Sequence, residues 1–254
     1  MGLTQLNFEG ENRVEVAINR LKQFEPPEGY YLAFSGGKDS VSIYQLAKQA
    51  GVKFDAHYSM PGIDPPELVY FIRDEYPDVE RHHPPMSIWK AIQLKGMPRR
   101  QSRWCCALIK EGAGSGRIVM TGIRWEESAK RRTRSFTEIC KTDLSKRFIH
   151  PIIDWSTEEV WEYIRGNKFP YCSLYDEGFK RLGCILCPFT RNVEEEMMRY
   201  PKTAEAWRRA CYRYFNSGHE GTKRWKTAED MWQWWLDRDS TSTAEENLQC
   251  PMFV

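Results

Sequence analysis

Hydrophobic and polar positions repeat with two different periods along the first sixty residues. Apolar residues at helical spacing between residues 14 and 24, ahead of Pro26-Pro27, predict an amphipathic helix. The apolar run 30–34 is typical of a buried strand, and helical spacing returns over 41–50 after a loop that contains two glycines. A second strand is predicted over 52–58. The segment therefore predicts a strand, loop, helix, strand unit.

The same alternation continues further along the chain. Helices are predicted over 65–75 and 87–94, and a short apolar strand is predicted over 117–121. Ser156 and Glu159 have capping-box spacing, which marks the start of another helix. This order of elements predicts an α/β fold, a parallel twisted sheet with helices on both faces.

Beyond Pro188 the pattern changes to charged, tryptophan-rich sequence with helical spacing, followed by a polar tail from Ser240. We therefore expect two parts, a nucleotide-binding domain over 1–188 and a helical C-terminal extension over 189–254. The tryptophans of the extension are Trp207, Trp225, Trp232, Trp234 and Trp235.

Composition sets limits on the setting of the protein. The chain has 254 residues, 41% of them hydrophobic, and 37 Lys and Arg nearly balance 35 Asp and Glu. Its charge alone therefore indicates no partner. The first twenty residues contain no basic segment followed by an apolar run, and no stretch approaches the ~20 apolar residues that a membrane helix needs. We expect a cytoplasmic protein without a membrane span, whose eight cysteines are free for metal binding or catalysis.

The loop after the first strand has the chemistry of a phosphate site. Its two glycines allow a tight turn against a phosphate, and the following helix directs free amides and a positive dipole toward it. The two hydroxyls and the lysine can bind phosphate oxygens, and the aspartate can hold Mg²⁺. A glycine-rich turn without a ligand is the alternative. The residues assigned to this site are Ser35, Gly36, Gly37, Lys38, Asp39 and Ser40.

The strand, the SGGKDS loop and the helix resemble the PP-loop of the adenine nucleotide α-hydrolase superfamily. Within it, residues 28–190 resemble the PAPS reductase family, which includes sulfonucleotide reductases and the DndC-like enzymes of DNA phosphorothioation. Residues 122–132 are similar to the G-x-R-x-x-x-S-x-x-R segment of that family, and 150–156 are similar to its P-(L/I)-x-D-W-(S/T) segment. The match continues through 174–184.

The resemblance implies an adenine nucleotide ligand, either ATP or APS/PAPS. Residues 99–134 hold ten Arg or Lys against three Glu, an excess that suits a phosphate-rich ligand. A solvated basic helix face is the alternative. The further nucleotide-binding candidates are Gly122, Arg124, Arg131 and Arg132, and the catalytic candidates are Lys38, Asp39 and Arg124.

Two cysteine pairs can supply four thiolates to one centre: Cys105-Cys106 and Cys184-x-x-Cys187. In the resembled family such pairs hold a [4Fe-4S] cluster, so the resemblance implies one here. Zinc and purely structural thiols are the alternatives, although adjacent cysteines suit one tetrahedral ion poorly. Cys172 is a possible substitute for one member of the first pair.

The C-terminus bears on the reaction. The resembled reductases use a cysteine in a C-terminal E-C-G-(I/L)-H motif, whereas Cys250 here has no neighbouring glycine or histidine. We therefore expect ATP pyrophosphatase chemistry, in which a substrate is adenylated for sulfur insertion, as in DndC- or SspD-like thiolation enzymes. This interpretation implies a nucleic-acid substrate and a cysteine desulfurase as sulfur donor.

Two other functions remain open. One is reduction of APS or PAPS, with Cys250 as the nucleophile. The other is a nucleotide-dependent nucleic-acid binding module, since basic and aromatic residues interleave over 207–215 and 223–225.

Overall fold

The structure is a computed structural model that describes residues 12–237, without the side chain of residue 111. The tail from Ser240 and the thiol of Cys250 lie outside the described residues. The strands are β1 (Tyr30–Ala33), β2 (Phe54–Ser59), β3 (Glu80–His82), β4 (Ile118–Met120), β5 (Thr137–Ile139) and β6 (Arg147–Ile149). The α-helices are α1 (Arg13–Gln23), α2 (Lys38–Ala50), α3 (Pro66–Glu75), α4 (Ile88–Lys95), α5 (Trp104–Cys106), α6 (Ala129–Arg132), α7 (Thr157–Gly166), α8 (Val193–Arg199), α9 (Pro201–Asn216) and α10 (Ala228–Leu236).

The strands form one sheet in the order β3-β2-β1-β4-β6-β5. All neighbouring pairs are parallel except β5 and β6, which are antiparallel. The connection between β5 and β6 is too short for a crossover, which explains the antiparallel edge. The predicted α/β fold is confirmed. The sequence pattern missed β3, β5 and β6, because each has three residues with a charged one among them, whereas the equally short β4 is an apolar run.

The sheet separates two apolar layers. Leu32, Met120 and Ile149 are register partners on one face and belong to the main core, which also buries much of α2. Tyr31 and Val119 belong to the opposite face and to a smaller cluster. This alternation follows from the period of two in a strand. The carboxyl end of β1 leads directly into the loop that starts α2, and Gly122, two residues after the end of β4, lies close to Asp39.

A second core holds the C-terminal helices against the rest of the molecule. Trp207 of α9 and Trp235 of α10 are buried there together with Ile88 and Ile92 of α4. The Trp235 indole N–H donates to the Pro98 carbonyl at 2.7 Å. The helical character expected after residue 188 is confirmed, whereas a domain boundary at that position stays a prediction.

Among residues 12–237, none of the helices combines the length and the hydrophobicity required to cross a bilayer.

Candidate functional site

The phosphate loop is a preformed turn between β1 and α2. Gly36 has a φ of +71°, and a Cβ at this position would lie 2.6 Å from Leu68 Cδ1. A side chain at residue 36 is therefore disfavoured both by the positive φ and by the clash with Leu68. The Ser40 hydroxyl accepts from the Ser35 N–H at 3.2 Å and donates to the Gly37 carbonyl at 2.8 Å. These bonds fix the turn before any ligand binds.

The first turn of α2 points its amides into the same space. Gly37 is the N-cap and supplies no side-chain cap, so the amides of the first turn depend on partners from elsewhere. One of them has such a partner: the Lys38 N–H donates to the Tyr175 hydroxyl at 2.9 Å. The Tyr175 ring packs edge-on against Trp161, with centroids 4.9 Å apart. Tyr175 therefore lies where a phosphate oxygen at this helix terminus would compete for the same amide.

Lys38, Asp39 and Arg124 form a chain of ion pairs. Asp39 accepts from Lys38 Nζ at 2.9 Å and from Arg124 Nε at 2.7 Å, one carboxylate oxygen to each cation. Arg124 is 2% exposed. The remaining nitrogens of Arg124 donate to Glu126 at 2.9 Å, the Trp155 carbonyl at 3.2 Å and Thr157 at 3.2 Å.

This network gives the three residues fixed charged partners. Burial lowers the pKa of Arg124, but the charge of Asp39 and its hydrogen bond outweigh that effect and raise the pKa above its ordinary value. Arg124 is thus a fixed cation that orients Asp39, and Lys38 is the member of the chain that borders the loop. Each oxygen of Asp39 pairs with one cation and keeps a further lone pair, so Mg²⁺ ligation by Asp39 stays a prediction.

Three further candidates lie along the segment after β4. Gly122 packs against the start of α2 so closely that a Cβ would lie 2.8 Å from Asp39 Cβ, which explains the glycine. Arg131 is largely buried and pairs with Glu127. Burial lowers the pKa of Arg131, while the Glu127 charge opposes that effect. Arg132 is exposed. The structure brings Gly122 to the loop, and nucleotide contact by the two arginines stays a prediction.

The two cysteine segments meet at one end of the second core. Cys105 and Cys184 both pack against that core. Arg100 Nε donates to the Pro188 carbonyl at 2.9 Å, and the guanidinium of Arg103 lies 4.9 Å from the centre of the Phe189 ring. These contacts join the residues that flank one pair of thiols to those that flank the other.

The four cysteines influence one another's pKa values. Burial raises the pKa of Cys184 and of Cys187, and each of these thiols is affected by the charge of Cys106. A hydrogen bond from Cys105 lowers the pKa of Cys106, an effect opposed by burial and supported by the charge of Lys110. Without a metal ion the pKa is raised at three of the four cysteines, which favours their neutral thiols, whereas the nearby charge of Lys110 would stabilise thiolate ligands.

The donor set fits a cluster better than a single ion. All four cysteines are free thiols. Across residues 12–237, one set of three metal-ligating side chains has all its ligand atoms within 4.8 Å of one another. This set is His57, Glu80 and His82, and it contains none of the cysteines. Cys105 and Cys106 are hydrogen-bonded to each other, but no three of the four thiols all lie within 4.8 Å of one another, whereas zinc bonds of ~2.3 Å would give edges of about 3.8 Å. Bridging sulfides separate the irons of a cluster and tolerate this wider spacing.

The other described cysteines lie apart from this group. Cys172 is fully buried in the main core, whereas Cys105 and Cys184 pack on the second core. Cys140 and Cys211 are also fully buried, consistent with small apolar side chains. The structure therefore provides no contact that favours Cys172 as a substitute ligand.

One cleft connects the loop with the cysteine segments. It lies at the carboxyl ends of β1 and β2, where open α/β sheets bind ligands. Ser35 of the loop lines it together with Lys110 and Gly183, from the two cysteine segments. A ligand held by the loop would therefore extend toward the thiols.

Sequence reasoning missed several charged and polar groups around this cleft. Arg181 is the most informative, because its charge lowers the pKa of Cys106 and opposes the burial that raises the pKa of Tyr175. It links the loop side and the thiol side. Arg181 and Tyr175 lie within the segment that resembles the family, which was a usable signal. Lys110 and Asp64 had none, since neither belongs to a recognisable pattern.

Two aromatic residues of α9 are not available for stacking on bases. Trp207 and Tyr214 are 1% and 5% exposed and belong to the second core. Tyr212, Phe215 and Trp225 are partly exposed, so nucleic-acid binding by the interleaved basic and aromatic residues stays a prediction. Exposed basic residues remain on the helix surface, at Lys202, Arg208, Arg209 and Arg213.

Known proteins resemble most of the chain. Residues 29–190 match the family model described as the phosphoadenosine phosphosulfate reductase domain. An uncharacterized protein of Methanocaldococcus jannaschii is 30% identical over 249 residues, covering 90% of this chain and 50% of that protein. An adenosine 5'-phosphosulfate reductase of Oceanobacillus iheyensis is 31% identical over 158 residues, covering 57% of this chain and 63% of that protein.

The chain spans about half the length of the two Methanocaldococcus jannaschii proteins it matches, 50% and 51%. Among solved structures, the phosphoadenylyl-sulfate reductase from Candida auris, in a phosphate complex, aligns with a TM-score of 0.53 and 18% identity. That alignment covers 72% of this chain and 98% of the Candida auris chain, and it shows the same fold. The family model matches residues 29–190, which are well over half of the chain. The chain therefore belongs to the phosphoadenosine phosphosulfate reductase domain family.

Proposed function

We propose that this protein uses ATP to activate an oxygen of a nucleic-acid substrate and then replaces that oxygen with sulfur. The observation that carries the proposal is the cleft lined both by Ser35 of the loop and by Lys110 and Gly183 of the two cysteine segments. A nucleotide whose phosphates lie on the loop would place its reacting phosphorus between the loop and the thiols. Adenylation of the substrate and transfer of sulfur would then take place in the same cleft.

The reaction proceeds in two balanced steps. An oxygen of the substrate attacks the α-phosphorus of ATP, a P–O bond forms, and pyrophosphate leaves. A sulfide then attacks the substrate atom that carries the adenylated oxygen, a bond to sulfur forms, and AMP leaves with that oxygen. Neither step changes an oxidation state. A cysteine desulfurase supplies sulfur as a protein persulfide, so a thiol reductant must provide two electrons to release it as sulfide before the second step.

The residues act mainly by position and charge. Lys38 lies at the start of α2 and neutralises charge that develops on the departing pyrophosphate, with the loop amides as additional donors. Arg124 holds Asp39, and Asp39 in turn holds Lys38 in place. Ser35 and Ser40 keep the turn in shape. A [4Fe-4S] cluster on Cys105, Cys106, Cys184 and Cys187 would supply a site that holds sulfide.

The surface of α9 supports a nucleic-acid substrate. Arg208, Arg209 and Arg213 are exposed along this helix. Arg208 pairs with Glu229 at 3.1 Å, whereas Arg209 and Arg213 face solvent. Exposed arginines on one helix suit contacts to a phosphate backbone.

The test compares nucleotides on anaerobically purified protein with its iron and sulfide counted. ATP, APS and PAPS are bound side by side, and pyrophosphate and AMP release from ATP are followed with RNA or DNA and sulfide present. Lys38→Met is expected to reduce AMP release about 100-fold or more, as loss of a charge-stabilising group does. Lys48→Met is the matched control, since Lys48 lies on the same helix with its side chain 52% exposed. AMP release that is equal in the two variants would contradict the proposal.

Sulfonucleotide reduction is the second candidate. It is favoured by the adenosine 5'-phosphosulfate reductase of Oceanobacillus iheyensis, which is 31% identical over 158 residues. In that reaction a thiolate attacks the sulfate sulfur, and a dithiol reductant later releases sulfite. Tighter binding of APS or PAPS than of ATP, with thioredoxin-dependent sulfite release, would establish the reductase and exclude the thiolation proposal.

A further inference from the structure

A second cluster of metal-ligating side chains lies on the first edge of the sheet. His57 of β2 is the register partner of Glu80 on β3, and His82 is the partner of Ser59, two residues further along. Residues two apart on a strand face the same side, so His57, Glu80 and His82 share one face of the sheet. Their ligand atoms all lie within 4.8 Å of one another.

The spacing of these atoms resembles a coordination polyhedron. His57 Nδ1 lies 2.7 Å from His82 Nε2 and 3.5 Å from the nearer Glu80 oxygen, and His82 Nε2 lies 3.6 Å from the same oxygen. Tetrahedral zinc with bonds of ~2.0–2.1 Å separates its ligand atoms by about 3.3 Å. Two of the three edges are already close to this value, and the third needs to open by about 0.6 Å.

The far side of the His57 ring is fixed by other residues. His57 Nε2 lies in hydrogen-bonding contact with the Asp55 carboxylate, which Arg117 Nη2 holds at 2.6 Å. Because an ionised carboxylate accepts, the ring donates through Nε2, and its Nδ1 faces His82 and Glu80. The ring also stacks on Tyr31, with centroids 4.0 Å apart and planes 4° apart. A carboxylate behind a histidine is the arrangement that orients metal-ligating imidazoles.

Without a metal ion, His57 Nδ1 and His82 Nε2 form a hydrogen bond of 2.7 Å, for which one proton between the two imidazoles suffices. A metal ion would replace that proton and take one lone pair from each imidazole. The Glu80 carboxylate, 3.5 Å from His57 Nδ1, would be its third ligand. Glu80 and His82 are half-exposed or more, so an ion can enter from solvent.

We propose that His57 Nδ1, His82 Nε2 and the Glu80 carboxylate bind a divalent transition-metal ion, with Zn²⁺ as the best match. Two imidazoles and one carboxylate leave a fourth position open, as at catalytic zinc sites. His57 also lines the cleft that contains the loop, so the ion lies at the margin of the nucleotide site. The inference is independent of the sulfur-transfer proposal, since it rests on a different set of residues.

The test uses the full chain with its iron content measured, and Zn²⁺ and Co²⁺ as probes. Equilibrium dialysis counts Zn²⁺ per chain, and the Co²⁺ spectrum separates sites, because thiolate ligands give strong near-ultraviolet bands and imidazole and carboxylate ligands do not. His82→Ala is expected to lose one bound Zn²⁺ and the thiolate-free Co²⁺ signal, with affinity reduced at least about 100-fold. His83→Ala is the matched control, since the next residue along an extended chain faces the other way.

A second variant tests the residue behind the ligand. Asp55→Asn leaves all three ligands in place and is expected to weaken Zn²⁺ binding by about 10- to 100-fold. The unfolding midpoint of each variant is measured without added metal, so a folding defect is recognised separately. Equal Zn²⁺ binding by His82→Ala, His83→Ala and the unmodified chain would overturn the proposal, and so would a Co²⁺ spectrum made up only of thiolate bands.

Discussion

Replacing Arg124 with methionine separates a positioning role from direct ligand contact. The guanidinium is 2% exposed and donates to four groups, Asp39, Glu126, Thr157 and the Trp155 carbonyl. Methionine fills much of the same volume but satisfies none of these acceptors. Breaking a buried charge pair by removal of one partner costs about 3–5 kcal/mol, and each hydrogen bond to a charged group is worth about 1.5–3 kcal/mol. Since Asp39 keeps Lys38 as a partner, we expect a loss of about 3 kcal/mol.

Urea unfolding followed by tryptophan fluorescence measures this loss, on samples of matched iron content. Arg132→Met is the control for stability, because Arg132 is an exposed residue close in sequence and surface substitutions usually change stability by less than about 0.5 kcal/mol. An unfolding free energy for Arg124→Met within about 1 kcal/mol of the unmodified chain would refute the positioning role. If nucleotide binding fell while stability stayed the same, Arg124 would instead contact the ligand directly.

Two further predictions concern the loop and a buried histidine. Gly36→Ala is expected to cost at least about 1 kcal/mol of stability and to weaken ATP binding, because the residue has a φ of +71° and Leu68 lies in the way; unfolding and binding assays measure both effects. Burial and the Arg134 charge lower the pKa of His150 to about 3. At pH values between about 3 and the unfolded pKa near 6.5, His150 binds a proton in the unfolded chain but not in the folded one. Stability therefore falls as pH falls, by about 2 kcal/mol between pH 7 and pH 5. The pH dependence of unfolding in His150→Gln should lack this contribution, and an identical slope in both chains would contradict it.

Much of this molecule followed from local sequence. The first strand, the loop and α2 have distinct periods, and the Ser156–Glu159 capping box forms as expected, with the Glu159 N–H donating to the Ser156 hydroxyl at 3.1 Å. Such features depend on neighbours a few residues away, so a sequence can specify them by itself. The two cysteine pairs were recognisable for a different reason, since thiols at these spacings have few chemical uses. The three-residue strands β3, β5 and β6 contain charged residues and gave no such signal, unlike the apolar β4.

The partners of each functional group depended on the tertiary structure. The sequence predicted Mg²⁺ as a partner of Asp39 but not Arg124, 85 positions away in sequence, which folding brings against one of its oxygens while Lys38 pairs with the other. The tryptophans of α9 and α10 became a second core because α4 offers an apolar face to them. The cluster of His57, Glu80 and His82 exists only because β2 and β3 are paired in one register. Sequence alone thus determined the elements and the chemically reactive residue types, whereas pairing between distant segments decided which charges are neutralised, which aromatics are buried and which ligands converge.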